Sequence, residues 1–578
     1  MPRGLLRYTL AIIITAGFHG VAYFALRHYY ATHLPHYDSV GSYMMAYRLL
    51  ALFHHAGLAS ALHEALHFSL SQTQALFTVI FAPVLSPSPA SLQLYNSLCI
   101  GVMALAMADL AGRFQLSLWK TAAFLLMIIV PDTFWWWQGG LLDWQRDPSF
   151  LCLLTAAVLL FCSHMLEPTP LRGIALGVTA GLTLLSRDSA PLYLLAIFSG
   201  PLVLRLALLF RRTFPADSWL ALLPPALAAA PFLLHYAAFQ LEGTLARLGN
   251  TYVAFAAGAS FLESVRGTAM VPVYLLLGPP GNFGSTLSLN ETAFGIAAGT
   301  LLLLMVIRRL SFRDVLSRQS ALVLFAGLWT YLSVSLLLHL YVGIRPFSFN
   351  SVKHPFYPTL IAFFCIAFVA ILTAEIRIRS WSLKAALSAA VLLGLLSVDV
   401  ARVEIKTPPP EPALVDGAHQ MITAMGKTEG KIVAALWHEG ISYDVLRYYI
   451  LQHGEQPPSK LHFNNEAGVQ LDTEIGTPSS DRETAYLMDK LENRIYACAD
   501  FALVGRNPSV YDNPKHPLML YTHGRRMIAR LLASPTFETI YETKVQGEPV
   551  ALLRRRTETT DVPHAAASVT DGCRGPGQ

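Results

Sequence analysis

The chain has 578 residues, of which 54% are hydrophobic and only 14% charged, whereas a soluble protein carries about one quarter charged residues. The deficit is uneven: residues 1–400 hold 23 Lys/Arg and 15 Asp/Glu, and residues 401–578 hold 19 and 22. These numbers exclude one ordinary globular enzyme and bulk disorder, and the formal charge of +5 is scattered between apolar runs rather than gathered into the basic face of a nucleic-acid reader.

Taken in chain order, the apolar runs predict a bilayer-embedded body over 1–400. Leu10 to Leu26, preceded by Arg3 and Arg7, forms the first span. Eleven spans are expected, roughly at 8–26, 92–110, 118–136, 149–166, 171–186, 190–210, 218–235, 289–307, 320–340, 355–373 and 382–398. With the N-terminus inside, the inner loops collect Arg113 and Lys120, Arg172, Arg211 and Arg212, the Arg308–Arg318 group, and Arg377, Arg379 and Lys384. That is the distribution the positive-inside rule demands of this count and orientation. The segment Ala75–Leu85 is short and closed by Pro83, Pro87 and Pro89, so it reads as an interfacial or re-entrant piece.

This topology puts long loops on the outer face, at 27–91 and 236–288. The first contains two helical stretches, near 42–56 and 58–70, and the second an amphipathic helix over Leu241–Phe255. Prolines 408, 409, 410 and 412 mark a linker at 401–412. Beyond it, 413–556 reads as a small α/β domain on the non-cytoplasmic side. Helices are expected around Met421–Met425, Tyr443–Leu451, Arg482–Cys498 and Arg525–Leu532. Strands are expected at Lys431–Trp437 and Leu518–Tyr521, with a hairpin from Phe537–Val545 and Val550–Leu553. Residues 557–578 have the composition of a disordered tail. None of the six cysteines forms a CxxC, so neither a disulfide framework nor a zinc site is expected.

Candidate chemistry gathers at the outer face. Asp38 follows the first span by a dozen residues. A carboxylate there takes a proton from an acceptor or holds a cation, and it equally suits the cap of the helix expected at 42. Asp143 and Asp147 precede the fourth span, and Asp147 with Pro148 also has the form of a helix cap. Trp136, Trp137 and Trp144 nearby suit an aromatic belt or stacking on a sugar face. Arg187 interrupts an apolar stretch beside Asp188, where a charge must be paired, wetted or bound to an anion. Arg345, Lys353, His354 and Tyr357 form a second polar group outside the tenth span. A guanidinium fork matches a phosphate well.

The order of these features resembles the GT-C superfamily of integral membrane glycosyltransferases, in the branch of protein O-mannosyltransferases and of aminoarabinose or galacturonic acid transferases of lipid A. Tyr37-Asp38-Ser39-Val40-Gly41 resembles the first-loop acidic motif. Asp143-Trp144-Gln145-Arg146-Asp147 resembles the second-loop acidic position, best matched by Asp147. Thr183-Leu184-Leu185-Ser186-Arg187 stands where a helix ends in a basic residue. Lys353-His354-Pro355-Phe356-Tyr357-Pro358 resembles the late signature whose basic groups contact the donor phosphate. The pattern departs in three places: Ser39 replaces a second acidic residue, Ser71-Gln72-Thr73-Gln74 replaces a His-Pro-Pro segment, and Pro358 follows Tyr357 directly. The likeness spans about 5–400.

The resemblance implies a polytopic α-helical GT-C-like protein of a bacterial inner membrane, with its N-terminus cytoplasmic and its C-terminal domain periplasmic or extracellular. It implies transfer of a sugar from a polyprenyl-phosphate donor to a lipid, glycan or protein acceptor, with inversion. Asp38, Asp147 and Asp143 then serve catalysis, and Arg187, Arg345, Lys353, His354 and Tyr357 the donor phosphate. No cofactor is firmly implied, and a divalent cation (Mg or Mn) would sit at Asp38 if anywhere. Membrane lipids, donor and acceptor are the expected partners, and nucleic acid is not. The alternatives are a transporter or flippase of lipid-linked glycans, which would open a central cavity alternately, and a non-catalytic envelope-assembly scaffold with an outer binding domain.

Overall fold

Apolar residues that cannot all be buried inside one protein still form helices, because a helix satisfies its own backbone hydrogen bonds in lipid. In the computed structural model the described residues are 3–35, 37–67, 71–118, 146–187, 190–195, 197–200, 222–247, 411–436, 441–460, 492–493, 495–505, 528–545 and 547–556, with isolated residues between 121 and 144 and at 329. The helices of the N-terminal half are α1 (Arg3–Tyr29), α2 (Tyr37–His67), α3 (Gln72–Ile80), α4 (Pro89–Leu92), α5 (Leu94–Arg113), α6 (Arg146–Leu166), α7 (Pro170–Ser186), α8 (Leu223–Phe239) and α9 (Leu241–Arg247). Among the described residues, three helices are long and apolar enough to cross a membrane: Gly4–Tyr29, Pro89–Arg113 and Ser149–Leu166. The expected spans at 289–307, 355–373 and 382–398 lie outside the described residues, and those at 118–136 and 320–340 almost wholly so.

The chain forms two compact units, residues 1–26 with 52–408 and residues 27–51 with 409–578. In the first unit α6 is the central helix, buried along nearly its whole length, while α1 and α8 expose Ile12, Ile13, Phe24, Leu227 and Leu234 as a lipid-facing surface would. Helices α1 and α5 run antiparallel: Tyr8 meets Asp109, Thr15 packs on Gly101 and His19 hydrogen-bonds Ser97 at 3.0 Å. Helices α7 and α8 run in parallel at close range, with Gly173 beside Pro224, Gly177 beside Ala228 and Gly181 beside Phe232. Small residues at every fourth position let the two backbones approach, as in many membrane helix pairs.

One end of this unit is closed by an ionic cluster. Arg172 donates from Nε to both carboxylate oxygens of Asp109, at 3.2 and 3.0 Å, and Tyr8 donates to Asp109 Oδ1 at 2.9 Å. Arg113 lies 3.5 Å from Asp109 and pairs with Glu167, whose backbone carbonyl accepts from Arg172 Nη1 at 2.6 Å. Arg7 reaches the carbonyl of Leu116. The start of α1, the ends of α5 and α6 and the start of α7 therefore meet, so Arg7, Arg113 and Arg172 share one end of the bundle. Asp109→Ala removes the bidentate carboxylate of Arg172, 14% exposed, and leaves it the more distant Glu167 carboxylate at 3.8 Å. The expected loss is about 1.5–3 kcal/mol, the scale of a charged hydrogen bond, read as a lower thermal unfolding midpoint in detergent.

Helix α2 starts at Tyr37, five residues earlier than expected, which moves Asp38 from a cap position into the first turn. At Gly57 the backbone turns to φ 83°, ψ 174°, breaking α2 between the two stretches that the sequence separates. That left-handed φ is open to glycine and strained for other residues. Helix α8 extends four residues past the expected end at 235, to Phe239, and carries Pro224 in its first turn, where a missing N–H costs little.

The second unit carries a five-stranded sheet with order β2-β1-β3-β5-β4, formed by β1 (Ile432–Ala435), β2 (Ser459–Lys460), β3 (Phe501–Gly505), β4 (Phe537–Val545) and β5 (Glu548–Arg555). Strands β2, β1 and β3 are parallel, and β3, β5 and β4 antiparallel. Helix α10 (Pro412–Met425) leads into β1, and α11 (Tyr443–Gln452) is the crossover from β1 to β2. Ser442 caps α11 by accepting from Val445 N–H at 3.2 Å. Ala434, Leu436, Ile495, Ala502, Val504, Leu531, Ala551 and Leu553 make one core. The hairpin forms where expected, closed by Gly547 at φ 88°. Residues 495–498 are helical, inside the helix expected at Arg482–Cys498, residues 528–533 are helical, one residue past the expected end at Leu532, and the strand expected at Leu518–Tyr521 lies outside the described residues. Cys498 is disulfide-bonded, a bond the sequence reading did not anticipate, whereas Cys99, Cys152 and Cys162 are free and buried.

Candidate functional site

The ionic cluster fixes one end of the first unit, so the opposite end holds the starts of α5 and α6 and the ends of α7 and α8. Arg187 stands there as the residue that ends α7, in extended conformation at φ −156°, ψ 144°. Its guanidinium carbon lies 5.8 Å from the ring centroid of Phe150, which is itself 5.6 Å from Tyr193. Phe150 is one turn along α6 from Asp147, and α6 begins at Arg146, so Asp147 lies in its first turn. The fold thus brings Arg187 against the helix start that carries Asp147. The positive end of a helix favours a carboxylate or a bound anion there.

Trp144 is 1% exposed, with its ring 5.5 Å edge-on from Tyr95. It packs inside this end of the unit, not on its surface. Tyr95 donates to Thr73 at 3.0 Å and also touches Phe77. Thr73 belongs to α3, which runs from Gln72 into the segment Ala75–Leu85 expected to be interfacial or re-entrant. Gln72, Thr73, Gln74 and Thr78 of α3 are all buried. Gln72 donates to the Leu66 carbonyl at 2.6 Å, and its Oε1 lies 2.9 Å from Nε2 of His235 at the end of α8. The sequence marks this polar stretch only as a departure from the GT-C pattern, and it marks His235 not at all. The available signal is Ser71-Gln72-Thr73-Gln74, four polar residues in a row inside an apolar stretch.

Asp38 belongs to the other unit, in the first turn of α2. The following turns present Val40, Tyr43, Tyr47 and Leu50, all at most 2% exposed, at the spacing of one buried helix face. Tyr47 donates to Tyr448 of α11 at 3.4 Å, and burial pushes both phenols well above the ordinary tyrosine range. Tyr443 donates to the Pro458 carbonyl, and burial raises its phenol to about 12. His419 of α10 faces Tyr449 at 4.5 Å. Burial, then the nearby His453, holds it below the ordinary histidine range against the opposing pull of Asp416.

Asp143, Trp136, Trp137, Arg345, Lys353, His354 and Tyr357 lie outside the described residues. Among the described residues no group of three His, Cys, Asp or Glu side chains is gathered to hold a metal ion.

No protein-family description and no curated protein sequence matches the chain. Solved structures do. ArnT from Cupriavidus metallidurans in the apo state aligns over 94% of this chain and 97% of its own, with a TM-score of 0.53 and 10% sequence identity. ArnT from the same organism bound to undecaprenyl phosphate aligns over the same shares, with a TM-score of 0.52 and 12% identity. The chain therefore has a polytopic, largely helical membrane fold resembling that of ArnT.

Proposed function

We propose that the chain is a membrane glycosyltransferase that moves a sugar from a polyprenyl-phosphate donor to a lipid, glycan or protein acceptor at the outer face of a bacterial inner membrane. The observation that carries this reading is the fold likeness over 94% of the chain to a protein solved with undecaprenyl phosphate. Arg187, set against the first turn of α6 at the end of the bundle away from the ionic cluster, supports it.

In the reaction an acceptor hydroxyl or amine attacks the anomeric carbon. The bond from that carbon to the phosphate oxygen breaks, and its electron pair leaves with the polyprenyl phosphate. The acceptor's proton passes to the carboxylate of Asp38. Arg187, Arg345 and Lys353 neutralise the charge that grows on the leaving phosphate, where a preorganised positive group acts most strongly. His354 and Tyr357 complete that group. Asp147, with Asp143 as the near alternative, holds a basic group in place, and Trp136 and Trp137 belong to the sugar and membrane-interface surroundings, whereas the buried Trp144 packs on Tyr95. A single displacement inverts the anomeric centre, since retention needs a nucleophilic carboxylate on the other face. A hard divalent cation would be held by Asp38, with the remaining oxygen ligands from water and the donor phosphate.

The experiment is turnover with defined polyprenyl-phosphate sugars in detergent, followed by mass analysis of the product, with and without a chelator. Sugar transfer from at least one donor is expected, and failure with every donor class overturns the reading. Arg187→Gln should weaken binding of undecaprenyl phosphate by about tenfold or more, as a charged hydrogen bond of ~1.5–3 kcal/mol is lost. Unchanged binding removes Arg187 from the phosphate site.

A further inference from the structure

Residues 27–51 leave the helical body and fold with the C-terminal half of the chain. The join is built from aromatic side chains. Tyr448 stands 5.8 Å from the ring of Tyr43 and 5.4 Å from that of Tyr47. Tyr43 in turn stacks on Tyr47 and meets Tyr30, the two hydroxyls of Tyr30 and Tyr43 lying 3.2 Å apart. A backbone bond closes the other side of the segment: the N–H of Glu411, the residue that starts α10, donates to the carbonyl of Thr32 at 2.9 Å. Tyr43, Tyr47 and Tyr448 are each 1% exposed. Buried aromatic pairs of this kind contribute about 0.5–1.5 kcal/mol each beyond the area they cover.

Asp38 lies five residues before Tyr43 on the same helix, about 7.5 Å along its axis at 1.5 Å per residue. A general base must stand within about 2.6–3.2 Å of the proton it takes, and misplacement by ~1 Å costs about 10²-fold in rate. A segment that left the bilayer without a partner would not hold such a tolerance. We propose that the C-terminal domain is the positioning platform for the acceptor-activating carboxylate, with Tyr448, Tyr47 and Tyr43 as the positioning residues that fix the first turns of α2. The idea rests on the assignment of Asp38 above and gives the soluble domain a role in catalysis.

The test uses the full-length protein in detergent with the donor found active in the turnover experiment. In Tyr448→Leu, hydrogen exchange of the amides at 40–51 should rise by at least about tenfold while α5 and α6 keep their protection. The kcat should fall by about tenfold or more with donor KM within about twofold, the signature of lost alignment rather than lost binding. Tyr448→Phe keeps the ring and should stay within about threefold of the parent, since only one long hydrogen bond is removed. If Tyr448→Leu does not fold, Tyr47→Leu loosens the same join from the α2 side without touching the sheet. Unchanged exchange at 40–51 overturns the proposal, and so does raised exchange with unchanged kcat. Should Asp38→Asn remain fully active, the assignment of Asp38 is at fault and the platform loses its object. Should no donor be turned over, the exchange experiment still decides whether the domain holds the segment.

Discussion

Replacing Asp38 with asparagine should lower kcat by about 10³-fold, within the range contributed by a positioned general base, while the thermal midpoint and donor KM stay close to the parent's. The amide has the shape of the carboxylate and cannot accept the acceptor's proton. The position lies in the first turn of α2, where a negative charge also interacts with the helix dipole. That second effect is small, about 0.3–1 kcal/mol of stability, and it has no path to the rate of a chemical step. The two roles therefore separate cleanly. A large fall in kcat with little change in melting identifies the base. A small fall in melting with full turnover leaves Asp38 as a helix-start residue and returns the acceptor's proton to another group.

Gly177→Ala should cost about 3 kcal/mol or more, at the upper end for overpacking, although it adds a single methyl group. An added Cβ would collide with the carbonyl oxygen of Pro225 and lie 2.7 Å from Cβ of Ala228 and 3.1 Å from the backbone nitrogen of Ala229. Two of these three neighbours are main chain, so no rotamer change relieves the contact. Either α7 and α8 move apart along their length, or the pair fails to form. Gly181→Ala is the control. Its methyl would meet the ring and Cβ of Phe232, a side chain with some freedom to swing, and the loss should be smaller. Thermal unfolding of the two variants in the same detergent gives the order, and equal melting of Gly177→Ala and the parent contradicts the close approach of the helices. Because Arg187 directly follows α7, donor binding by any folded Gly177→Ala protein should weaken as well.

Hydropathy made α1, α5 and α6 legible because each is a continuous apolar run bounded by charge or proline. The hairpin of β4 and β5 was legible from its strand-forming residues. Strand β3 escaped notice: Phe501-Ala502-Leu503-Val504-Gly505 is buried at every position, so it shows none of the alternation that marks a half-buried strand. Strand β2 is two residues long and has no pattern to read. At the candidate site, Arg187 stood out because a charge in an apolar run needs a reason. The burial of Trp144 did not, since a tryptophan near a membrane surface has the same sequence signature whether it faces lipid or Tyr95. Least legible was the partnership of residues 27–51. Tyr47 and Tyr448 are 401 positions apart, and a contact that distant leaves no local periodicity in either segment.

That distance also sets an order of assembly. A ribosome delivers Tyr43 and Tyr47 early and Tyr448 only after most of the chain has been made, so the second unit stays open throughout translation and insertion. Contacts so remote in sequence form slowly, because a long loop must close before they can stabilise anything. The newborn polypeptide thus carries uncovered tyrosines until its last quarter arrives. Any nonsense mutation before α11 strands them permanently, so a truncated chain should be digested faster by an added protease than the finished one.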